Sequence, residues 1–240
     1  GIDEAKEWLK NQIMQIVVPS TRMFEYAERK IASDDKLREY LLSVVYNADF
    51  NISDINTQVI KENIPQKMLK AILESDVISE QDKDRLKKER YLSKPKTDFI
   101  HSVNNERGTE QYSMKAEYQS RGTRRIFGLE AALYEVFHRN GFLTIDEIEA
   151  SLHPDLVEFF ISGFLKQKSR SQLLVSTHYD PLLETIGDLL RKDSVWFTEK
   201  KESGHTEVYS LVEFSGLNRL SSIRKAYRNG NFGALPKVKE

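Results

Sequence analysis

The chain has 240 residues, with 36 Lys and Arg against 37 Asp and Glu, so a net charge of −1 gives no global reason to expect a polyanionic partner. It contains no cysteine, which excludes disulfides, thiolate nucleophiles and Cys-based zinc or iron–sulfur centres. No apolar run approaches the roughly 18–20 residues of a membrane span, and the start GIDEAKEWLKNQ is too charged for a secretory signal. A soluble, cytoplasmic chain with no membrane partner is expected, long enough for one large α/β domain or a domain with a helical appendage.

Residues 2 to about 90 read mostly as helix. Apolar positions recur at three-to-four spacing in IDEAKEWLKNQIMQIV, in KLREYLLSVVYNA after a cap region at Ser33–Asp35, and in DINTQVIKENIPQKMLKAILES, broken near Pro65. QDKDRLKKERYL mixes charges of both signs and reads as a solvated helix face. After Lys94-Pro95 the period changes. TDFIHSV and EQYSMKAEY alternate as strands around the turn NNERG, and a helix follows from about Thr123 to His138 with Ile126, Leu129, Leu133, Val136 and Phe137 on one face. Then come a short strand in GFLTIDE, a helix starting at Pro154, a buried strand in SQLLVSTH, a helix in DPLLETIGDLLRK, a hairpin around Glu202–Gly204 and a helical tail over 217–229. Strand and helix alternating at this spacing predict βαβ units and a parallel sheet. The expected division is a helical arm over 1–94 and an α/β lobe over 95–240.

Three stretches carry chemistry. In FLTIDEIEASLHP a hydrophobic strand runs into acids; a carboxylate at such a strand end can hold Mg²⁺, and the next can orient or deprotonate an attacking water. This points to Asp146 for the metal and Glu147 for the water, against the plainer reading of acidic turn residues. SQLLVSTH ends in His178, one helix and one strand later, where a neutral imidazole can hydrogen-bond a phosphate oxygen or the water. Adjacent parallel strands would present all three at one rim. Upstream, Ser120 and Gly122 precede a helix and suit phosphate oxygens, although Ser120 taken alone reads more readily as an N-cap, and only the order of the three stretches favours the phosphate role.

Serine-glycine loop with helix, strand-Asp-Glu, strand-Thr-His resembles the order of signature motif, Walker B and switch histidine in ABC-type ATPases. IDEIEASLHP resembles the branch holding OLD and RecF-like ATPases and the AAA-type ATPases of bacterial defence operons, and VWFTEKKESGHTEVYSL and YRNGNFGALP resemble that last group, the nearest match. The resemblance covers roughly residues 95–236. It implies an α/β fold with part of a P-loop ATPase sheet flanked by helices. It also implies ATP and Mg²⁺ as ligands, and a homodimer in which Ser120 and Gly122 contact ATP bound by the second protomer. Residues 150–153 would then cross the dimer interface, and an effector protein or nucleic acid would be the further partner. His153 could equally be a helix-start residue, while His101, His138 and His205 have no companions at useful spacing.

A GxxxxGK[ST] loop is missing. Gly122 and Gly128 have the right gap, but Leu129-Glu130 stands where Lys-Ser/Thr is needed. The expectation is therefore that these residues are the C-terminal part of a longer protein and inactive alone. A non-catalytic interaction module is the competing reading; Asp146, Glu147 and His178 together argue against it. A nuclease is disfavoured because there is no second acidic cluster.

Overall fold

A computed structural model describes residues 1–48, 50–75, 79–106 and 108–236, with the backbone alone at 81, 82 and 85. It is a mixed α/β structure in two compact units, Gly1–Ser176 and Thr177–Glu240. Among the described residues no helix is long and apolar enough to cross a membrane.

The first unit opens with α1 (Ile2–Gln12), which buries none of its residues. The helix ends five residues earlier than its periodicity suggests, because residues 13–17 go extended and pair beside a later strand. α2 (Met23–Ile31) and α3 (Asp35–Asn47) follow, the latter capped by the Asp34 side chain, which accepts from Leu37 N–H at 3.0 Å. The helix expected over 54–63 is instead the strand β1 (Ile52–Asn63). The segment is rich in β-branched residues, and its helix-like spacing has a local cause. A register irregularity between Ile52 and Asp54 puts Ile52 and Ile55, three apart, both in the core, which regular alternation could not do. The helical arm expected over 1–94 is thus corrected to three helices, a strand and two short helices, α4 (Gln66–Leu73) and α5 (Glu80–Glu89). The side chains of 81, 82 and 85 in the charged run lie outside the described residues.

β2 (Tyr91–Asn105) spans the expected boundary at 94/95, pairing antiparallel with β1 and with β3 (Gly108–Lys115) in the order β1-β2-β3. β3 starts pairing at Asp98, so at Pro95 β2 has a single strand neighbour and the missing N–H is tolerated. The NNERG turn includes position 107, outside the described residues. α6 (Arg121–Arg139) is the centre of this unit. It meets α2 and α3 on one side and, on another, β4 (Phe142–Ile145) and α7 (Pro154–Lys166). The expected single stripe is correspondingly wider, with Phe127, Ala131 and Ala132 buried beside Ile126, Leu129 and Leu133. Phe127 packs edge-on to Phe99 at 5.3 Å between ring centres and against Phe24 at 5.6 Å. Gly128 has a packing reason, since a Cβ there would lie 2.5 Å from the Met23 backbone.

β5 (Gln172–Val175) pairs parallel with β4, Ile145 opposite Val175, so the strand–helix–strand reading of this region holds. On β4's other edge, Met14 and Val17 N–H donate to the carbonyls of Phe142 and Thr144 at 3.0 and 2.9 Å.

In the second unit the helix expected from Asp180 is only a 3₁₀ turn, Asp180–Thr185; Gly187, at φ +104°, takes the chain out of helical space. The expected hairpin is present as β6 (Trp196–Lys200) and β7 (Thr206–Ser210). The helical tail shrinks to α8 (Ile223–Arg228) after a short 3₁₀ turn. Phe232 of the closing loop is buried against Phe197 and Phe214, and its carbonyl accepts the Tyr209 hydroxyl at 2.7 Å. Arg228 and Arg224 flank Asp180 and hold its carboxyl below the usual carboxylate range.

Candidate functional site

β4 is gripped from both sides where it ends. Asp146 N–H donates to the Val17 carbonyl at 2.8 Å, and Ser176 N–H donates to the Ile145 carbonyl at 2.9 Å. With Ile145 and Ile148 fully buried on either side, the two residues between them, Asp146 and Glu147, are the ones that reach the surface.

Ser176 organises this rim. Its hydroxyl donates to Asp146 Oδ1 at 2.5 Å and accepts from Glu147 N–H at 3.0 Å, while its carbonyl accepts from Ile148 N–H at 3.1 Å. Glu147 is held in the left-handed region at φ +47°, a conformation that costs a non-glycine residue roughly 1–3 kcal/mol and recurs at functional sites. The loop stays tight beyond it. Ala150 and Leu152 N–H donate to the carbonyls of Glu147 and Glu149, both at 2.9 Å, and Ser151 is again left-handed at φ +64°. His153 caps α7, its Nδ1 accepting from Asp155 N–H at 3.3 Å, the helix-start role that the sequence left open.

Ser120 caps α6: its Oγ accepts from Thr123 N–H at 3.0 Å and exchanges a hydrogen bond with Thr123 Oγ1 at 2.8 Å. The first-turn N–H groups of Arg121 and Gly122 have no intrahelical acceptor, as in any helix start. Gly122 lies against the β4–α7 loop, where an added Cβ would sit 3.0 Å from the Ser151 carbonyl. The neighbouring Gln119 side chain is buried and its amide nitrogen meets His101 Nε2 at 2.6 Å, a partner that sequence spacing did not suggest.

Within the first unit, then, Asp146 and Glu147 share one rim with Ser176, and Gly122 adjoins the same loop through Ser151. His178 follows in the second unit, exposed just beyond β5, its carbonyl accepting from Asp180 N–H at 3.0 Å. Ser176 was not singled out in the sequence. The signal available was the parallel register, which sets Ser176 beside Asp146 once Ile145 pairs with Val175.

Asp146 fits a hard divalent cation. Its carboxylate is exposed, its neighbouring ligand-type atom is a hydroxyl oxygen, and among the described residues no Lys or Arg forms an ion pair with it. Among the described residues no three acidic or histidine side chains converge as ligands. Asp146 would thus supply one oxygen of a shell otherwise completed by phosphate and water, the usual pattern for Mg²⁺.

A family model described as "AAA domain, putative AbiEii toxin, Type IV TA system" matches residues 25–184, about two thirds of the chain. No curated protein matches the sequence.

Proposed function

Because the chain belongs to this AAA-domain family, we propose that it supplies the water-activating part of an ATP-hydrolysing site of ABC type. The observation that carries this reading is the hold of Ser176 on Asp146, Glu147 and Ile148, which sets two adjacent carboxylates at a strand end with different surroundings. Asp146, engaged by a hydroxyl, is the residue that would hold Mg²⁺. Bound there, Mg²⁺ would neutralise charge on the β- and γ-phosphates. Glu147, with its backbone fixed and its side chain in solvent, accepts the proton of the attacking water on a carboxylate oxygen. Ser176 positions both. His178, just beyond β5, hydrogen-bonds the γ-phosphate or the water.

Ser120 and Gly122 contact the γ-phosphate of ATP held by a second copy, using first-turn N–H groups and the positive end of the α6 dipole. Nucleotide-driven pairing of two heads then moves an effector protein or a nucleic-acid-bound partner. A toxin and a type IV toxin–antitoxin system in the family's description support a role in a defence-type system. The P-loop that such a site needs has no match in these 240 residues and comes from another segment or another chain.

The test is Glu147→Gln in protein expressed from the whole reading frame. ATP binding by fluorescence titration should persist while turnover falls about 10²–10⁴-fold. Loss of binding would mean that Glu147 is part of the nucleotide's binding contacts instead, unchanged turnover would remove Glu147 from water activation, and no turnover in the wild type would favour a non-catalytic interaction module.

A further inference from the structure

His101, for which the sequence offered no companion, has one in the fold, away from the rim of Asp146 and Glu147. On β2 it lies in a row of three across the antiparallel sheet, opposite Ile52 of β1 and Tyr112 of β3. Its Nε2 meets the side-chain nitrogen of Gln119 at 2.6 Å. Gln119 is only 8% exposed, and it directly precedes the Ser120 that caps α6. β3 leads into this point with little slack. It passes into a 3₁₀ turn, Ala116–Tyr118, whose Ala116 is buried in the same core cluster as Ile52 and Phe99, and Gln119 N–H donates to the Ala116 carbonyl at 3.1 Å.

The pair works with either turn of the amide, its NH₂ toward a bare ring nitrogen or its carbonyl toward a ring N–H. A buried amide is costly to leave without a partner, so the contact fixes Gln119 in one place. We propose that His101 and Gln119 are positioning residues, a strut that ties the cap of α6 to the three-stranded sheet and so sets where Ser120 and the first-turn N–H groups of the helix point. The consequence for turnover rests on the reading of Ser120 and Gly122 as contacts to a second copy's ATP; the strut itself does not.

Two experiments keep the strut and that reading apart. In the 240-residue chain, hydrogen exchange followed by NMR reads the amides of Thr123 and Arg124, which donate to Ser120 Oγ at 3.0 Å and to the Ser120 carbonyl at 3.1 Å. His101→Phe keeps a ring without a hydrogen-bonding nitrogen and should speed both about five- to tenfold. Leu156 and Val157, which donate to the His153 carbonyl in the corresponding turn of α7, should keep their rates. His101→Gln gives the amide a partner again and should bring Thr123 and Arg124 back to within about twofold of wild type. Gln119→Leu breaks the same contact from the other side and decides should His101→Phe not fold. Unchanged rates at Thr123 and Arg124, or a rise shared with Leu156 and Val157, overturn the strut. In protein expressed from the whole reading frame, His101→Phe and Gln119→Leu should each lower kcat for ATP about tenfold with ATP affinity by fluorescence titration unchanged, and His101→Gln should restore it. An active wild type whose kcat is indifferent to both variants, or falls only as ATP affinity falls, overturns the strut's part in turnover. Absence of turnover in the wild type would instead sink the hydrolytic reading, and the exchange rates would still decide the strut.

Discussion

Glu130 shows how one residue can fix the pH response of the fold. It is 3% exposed on α6, it accepts the Tyr40 hydroxyl at 2.6 Å, and burial lifts its carboxyl from 4.5 to about 7. The native state therefore keeps a proton that the unfolded chain releases near pH 4.5. By linkage this group's contribution is fully present below that value, and it is lost as pH rises through about 7. Glu130→Gln keeps an acceptor for Tyr40 and removes the titration. In urea melts, wild type should lose on the order of 2 kcal/mol more than the variant across that window. Parallel curves would mean that the carboxyl titrates alike in both states. Glu28, also raised by burial, plays a quieter part by accepting Thr97 N–H at 3.1 Å and tying α2 to β2.

At the scale of elements, β1 separates two patterns that look alike on paper. A helix over this segment would bury Ile52, Ile55 and Val59 as one stripe. The strand, with its irregularity at Ser53, buries the two isoleucines and leaves Val59 56% exposed. Ile55→Ala should therefore cost about 2–4 kcal/mol, while Val59→Thr should stay within about 0.5 kcal/mol of wild type. Chemical denaturation of the two variants checks this, and comparable losses at both positions would contradict the strand. At 180–190, too, helical spacing yields no α-helix, being outweighed by Gly187 in the left-handed region and by the clamp of Arg224 and Arg228 on Asp180.

For the whole molecule, the decisive quantity is what the 240 residues can do alone. The proposed site supplies groups that handle water and metal, but none of the backbone amides and lysine that give a P-loop most of its hold on the β- and γ-phosphates. The chain by itself should show no ATP turnover above background in a coupled phosphate-release assay. Turnover that Glu147→Gln abolishes would show that the chain completes its own site, and would remove the need for an outside P-loop.

The sequence by itself determined the chemistry-bearing punctuation: a hydrophobic strand closing in Asp146-Glu147, a second in Thr177-His178, Ser120 at a helix start, and a parallel strand–helix–strand between. These were legible because each depends on a few consecutive residues with a strong local preference. Tertiary structure decided what local preference leaves degenerate. Residues 13–17 became extended because the open edge of β4 offered hydrogen bonds, and 52–63 became a strand because β2 did the same. Ser176 became the partner of Asp146 through parallel register, and Arg125 became a buried cation because α6 is enclosed by α2, α3, α7 and β4. Hydrogen-bond partners and burial are set by segments distant in sequence, so no window of neighbouring residues contains them.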